Sequence, residues 1–81
     1  MDEKTRVQKD IVMFEENIKQ INKNTITDSE RKILELASQY HQDTKYYVEK
    51  KDYFTAFGCI NYAHGLLDGI LKTEHQGGES Y

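Results

Sequence analysis

The residues best suited by type to chemistry are two histidines with nearby carboxylates, one cysteine and a set of tyrosines. His64 and Asp68 stand four apart, a spacing that puts both side chains on one face of a helix. A carboxylate so placed can orient an imidazole, as support for a metal ligand or as half of a general-base pair. His64 and Asp68 are therefore the candidate metal ligands, and His41 and Asp43 could approach them from an earlier element. A zinc or iron site needs three or four converging ligands, which no spacing here guarantees. The Glu-x-x-His pair of di-iron bundles is missing. His64 also lies between Phe57, Ile60 and Leu71 on one apolar stripe, so its first reading is a hydrogen-bonded structural histidine. No metal and no cofactor is expected.

Nucleophilic catalysis has no support either. Cys59, the only cysteine, falls on a different helical face from His64, and no serine sits in a G-x-S-x-G turn. No catalytic residue is assigned, and the chain is read as a non-enzyme. The six tyrosines, in a chain without tryptophan, could stack on bases if a cationic groove ran beside them. Lys45, Lys50 and Lys51 are close in sequence, but Asp43, Glu49 and Asp52 offset them. The tyrosines are read instead as edges of the core, with Tyr46 on the polar face as the ring most suited to contact. Net charge is −3, and without a basic face no nucleic-acid partner is expected.

The elements that must position these residues are helices. There is no proline in the chain and no glycine before Gly58, so helix breakers are absent from most of it. Val7, Ile11, Phe14, Ile18 and Ile21 step by three and four residues, predicting a first helix over 3–22 with Val12 and Met13 off its seam. Thr27 and Glu30 have capping-box spacing ahead of a second helix over 28–49. Ile33, Ala37, Tyr40, Thr44 and Tyr47 form its seam. Lys50 and Lys51 suit the end of that helix, and Asp52 suits the N-cap of a third helix over 52–71. So short a connection makes helices 2 and 3 antiparallel neighbours.

The third helix has the least charge of the three. Folding the hairpin about Lys51 sets Tyr40 near Tyr62, Thr44 near Gly58 and Ala37 near Gly65. Glycine inside a helix is unfavourable, so close backbone packing is the expected reason for it, with the helix covered on nearly all sides. The fold read from these patterns is all-α, a three-helix bundle: a long antiparallel hairpin with helix 1 packed along it. It forms one domain over 1–72, followed by a flexible tail over 73–81.

Three segments resemble a known family. They are Tyr40-His41-Gln42-Asp43, Lys51-Asp52-Tyr53-Phe54-Thr55-Ala56-Phe57 and Tyr62-Ala63-His64-Gly65-Leu66-Leu67-Asp68. They are similar to the recurring features of the archaeal domain of unknown function family 357, most strongly over 36–71. The resemblance implies an all-helical fold, an archaeal cytosolic source and no established activity, with no catalytic residues to carry over. The resemblance also implies an association of related domains, through fusion, with nucleotidyltransferase-like proteins. Where the family usually has glycine before the turn aspartate, this chain has Lys51.

The functional expectation is a protein-interaction or self-associating module, with a protein partner or a homo-oligomer. Its interaction face would be Phe54, Gly58, Asn61, Tyr62 and Gly65. The alternative is a small-ligand or metal-binding regulatory domain serving nucleotide-related enzymes, its pocket at the tyrosines and the His64–Asp68 region. Every apolar run is short and the first ten residues hold no apolar core, so no membrane association is expected and the location is read as cytoplasmic.

Overall fold

Each helix begins where a short polar side chain can accept a backbone amide that the helix leaves unpaired. The computed structural model describes residues 2–75. Asp2 opens α1 (Glu3–Ile18), its Oδ1 accepting from the Thr5 amide at 2.7 Å. That bond holds the Asp2 carboxyl below its ordinary value. Thr27 opens α2 (Asp28–Glu49) with a full capping box. The Glu30 amide donates to Thr27 Oγ1 at 3.1 Å, and the Thr27 amide donates to Glu30 Oε1 at 2.9 Å. Asp52 precedes α3 (Tyr53–His75) and accepts from the Thr55 amide at 3.2 Å and from the Thr55 hydroxyl at 2.7 Å.

The three helices form an all-α bundle, with no strand among the described residues. Helices α2 and α3 pack most extensively as an antiparallel hairpin, and α1 lies against it, chiefly on α3. The turn between them is a Schellman motif. The Asp52 amide bonds the Tyr47 carbonyl at 2.9 Å and the Lys51 amide bonds the Val48 carbonyl at 3.0 Å. That pattern needs a left-handed residue, and Lys51 supplies it at φ 61°.

The core seam of α3 is Ala56, Ile60, Ala63, Leu67 and Ile70, all buried and stepping by four and three. Val7, Ile11 and Phe14 of α1 and Leu34, Ala37 and Thr44 of α2 close on it. Thr44, the one buried polar residue of this core, donates its hydroxyl to the Tyr40 carbonyl at 2.7 Å, so its burial leaves no orphan donor.

Three expectations change. Helix 1 ends at Ile18 rather than 22, because the chain tightens there through Gln20 and Ile21 amides bonding the Asn17 and Ile18 carbonyls. Ile21 and Ile26 still reach the core from the connection, which is why the seam spacing outlasts the helix. Helix 3 continues to His75, since neither glycine nor proline occurs between Gly69 and the glycine pair at Gly77 and Gly78. The tail expected at 73–81 is thus helical at its start, and its remainder lies outside the described residues. Finally, α3 is not covered on nearly all sides. Gly58 and Gly65 are exposed, and a Cβ built on either would meet nothing within 4 Å, so these glycines do not mediate close packing onto Thr44 or Ala37.

Candidate functional site

Two faces of the bundle bring sequence-identified residues together. The first lies where α1 meets the hairpin, around Phe14, which is 1% exposed. His41 of α2 stacks on it, with centroids 5.0 Å apart and planes 20° from parallel. His64 of α3 meets its edge at 5.8 Å and 82°. Both imidazoles then bond to α1. His64 Nε2 lies 3.0 Å from the Asp10 carbonyl oxygen, and because a carbonyl only accepts, Nε2 carries the proton.

His41 Nε2 lies 2.8 Å from Glu15 Oε2, and Lys45 Nζ lies 3.0 Å from the same oxygen. The Lys45 ammonium, bonded to Glu15, holds that carboxyl below its ordinary value, and the His41 bond adds to the effect against the opposing cost of burial. Arg6 completes the junction, its guanidinium 5.3 Å from the Phe57 ring centroid, a cation–π distance. These contacts fasten helix to helix. His64 turns to α1, while Asp68 is exposed. Among the described residues no three His, Cys, Asp or Glu side chains gather as a metal site.

The second face is the outer side of the α2–α3 hairpin. Phe54 is 88% exposed, and Gly58, Asn61, Gly65 and Asp68 follow it at alternating steps of four and three, every one exposed. Beside this stripe Tyr62 is about half exposed and stacks on Tyr40, with centroids 4.7 Å apart and planes at 17°. The pairing expected from the hairpin is therefore made. It also occupies the inner ring faces that a planar ligand would need. At the far end of the stripe, Gly65 and Gly69 border a groove of about 290 Å³ walled by Ile33, Leu66 and Ile70, with Glu30 at its rim. Ile33 of α2 is itself partly exposed there.

Two further groups are placed plainly. Tyr46 is 53% exposed, edge-on to Tyr47 and beneath the Lys50 ammonium. Cys59 is half-buried, and burial, reinforced by the Asp43 and Asp52 charges, pushes its thiol up. A thiol so raised is a poor nucleophile. No spacing in the sequence brings together the Glu15–His41–Lys45 cluster. The one signal for it was a carboxylate beside the Phe14 seam position.

A family model described as "Protein of unknown function (DUF357)" matches residues 9–73. No curated protein matches the chain. No described helix is long and apolar enough to cross a membrane.

Proposed function

Because the chain belongs to the DUF357 family of unknown function, we propose from its own geometry that it is a non-enzymatic docking module of an archaeal cytoplasm. It binds a protein through the outer stripe of α3. The observation that carries this reading is Phe54, 88% exposed at the head of that stripe. Burying a phenylalanine ring is worth about 1.5–3 kcal/mol, and here the monomer forgoes nearly all of it. The stripe continues through Gly58, Asn61 and Gly65, where the bare backbone admits a close neighbour. Tyr62, an amphipathic ring with its hydroxyl available, flanks it, as suits an interface.

The histidines support the same reading from the other side. Both are engaged in holding α1 to the hairpin, which makes the outer face a rigid platform.

The test is photo-crosslinking from position 54. Benzoylphenylalanine at Phe54 should give a discrete protein adduct in extract of the source cells. The same probe at Glu16, exposed on α1, should not. Absence of an adduct from position 54, or equal adducts from both, overturns the docking reading.

A further inference from the structure

The outer stripe of α3 has a symmetry that identifies its occupant. Read in order, its exposed residues are Phe54, Gly58, Asn61, Gly65 and Asp68, with Lys51 exposed in the turn just ahead of them. Laid antiparallel on a copy of itself, about a two-fold axis passing between Cys59 and Ile60, the stripe matches position for position. Phe54 falls opposite Gly65 of the copy, Gly58 opposite Asn61, and Lys51 opposite Asp68. Each match occurs twice by symmetry, as a self-complementary two-fold contact requires.

Two independent features agree with this register, one at Gly65 and one at the ends of the contact. The most protruding side chain meets bare backbone, for Phe54 is 88% exposed and nothing lies within 4 Å of a Cβ at Gly65. The groove beside Gly65, about 290 Å³ and walled by Ile33, Leu66 and Ile70, is an apolar seat for the incoming ring. The ends of the contact pair lysine with aspartate, whereas a parallel alignment would place Lys51 on Lys51 and Asp68 on Asp68. At the remaining position Gly58, opposite Asn61, has no side chain to hold the two helices apart.

We propose that the occupant of this face is a second copy of the same chain, bound as an antiparallel α3–α3 dimer in that register. The proposal rests on the docking reading above and names its partner. Phe54 of each subunit fills the Gly65 groove of the other, and two Lys51–Asp68 pairs fix direction and register. Opposite charges at the two ends favour this alignment and disfavour the slipped ones.

Charge exchange tests it on the full chain by sedimentation equilibrium. The wild type should dimerise with concentration. Lys51→Glu and Asp68→Lys each turn both end pairs repulsive, and each should raise the dimer dissociation constant roughly tenfold. An equimolar mixture of the two variants restores both pairs across a heterodimer and should recover the wild-type affinity. Circular dichroism melts of the variants confirm that both remain folded, since both positions are exposed.

A wild type that stays monomeric, variants that associate as the wild type does, or a mixture no tighter than its parts overturns the dimer. The crosslink from position 54 separates the two readings. An adduct to a different protein alone removes the dimer and keeps docking, whereas no adduct removes both.

Discussion

His41 of α2 lies flat on Phe14 of α1, 5.0 Å between centroids, while its Nε2 bonds Glu15, the next residue of α1. One side chain thus joins the two helices by a ring contact and by a polar bond. His64 does the same from α3, edge-on to Phe14 and bonded to the Asp10 carbonyl. Phe14 is the point on which α1 is held, and its replacement tests that. Phe14→Ala should cost about 3–5 kcal/mol through lost burial and the cavity left behind. In a domain of this size such a loss takes most of the available stability. Urea unfolding would read it as a collapse of the midpoint, while Phe14→Leu should retain most of the transition.

The Glu15 cluster predicts an acid-sensitive α1 contact. The Lys45 bond first, then His41, keeps the Glu15 carboxyl below its ordinary value of 4.5. A depressed folded-state pKa contributes stability that is present above the unfolded value and is lost as pH falls through the folded one. The window therefore opens near pH 4.5 and extends downward. The Glu15 side chain is 39% exposed, so solvent screening limits the effect to about 1 kcal/mol or less. Urea midpoints measured across this range should fall more steeply for the wild type than for Glu15→Gln. Equal slopes would remove the carboxylate from the account.

What could be read from sequence followed the range of each interaction. The Thr27–Glu30 box spans three residues and was legible outright. The nearness of Tyr40 to Tyr62 followed from one short turn and helical spacing, though not the stacking of their rings. The end of α1 did not, because Ile21 keeps the seam rhythm while entering the core from a turn. Nor could spacing tell that α1 leans chiefly on α3, or that Glu15 and His41, 26 residues apart, would meet. The glycines of α3 misled for a related reason. Low charge around a helix tells that it needs cover, but not whether its own chain or another molecule provides it.

Those glycines separate stability from association. Gly58→Ala and Gly65→Ala place a methyl group in open space, and each should stabilise the monomer by about 0.5–1 kcal/mol. For a domain of this size that amounts to a rise of several degrees in melting temperature. In the proposed dimer, Gly65→Ala would narrow the seat of the partner's Phe54 ring, so association should weaken as the monomer strengthens. Melting at low concentration and sedimentation at high concentration read the two effects apart. Gains in both would mean that the bare backbone serves no contact.

Lys51 makes the sharpest separation. Its φ of 61° is a conformation in which a Cβ crowds the following carbonyl, at roughly 1–2 kcal/mol for a non-glycine residue. Glycine is the usual occupant of this Schellman position. Lys51→Gly should therefore keep both turn hydrogen bonds, from the Lys51 and Asp52 amides, and raise stability by about 1 kcal/mol. It also removes the charge that faces Asp68 of the second copy in the proposed dimer. A chain that melts higher yet dimerises less tightly would mean that lysine is held in a strained turn for the sake of its partner. Lys51→Asn, which tolerates the left-handed region and lacks the charge, should behave likewise. Lys51→Arg, which keeps the charge and the strain, should match the wild type in both measurements. If glycine and asparagine raise stability and leave the dimer intact, the lysine belongs to the turn alone and the register loses its polar ends.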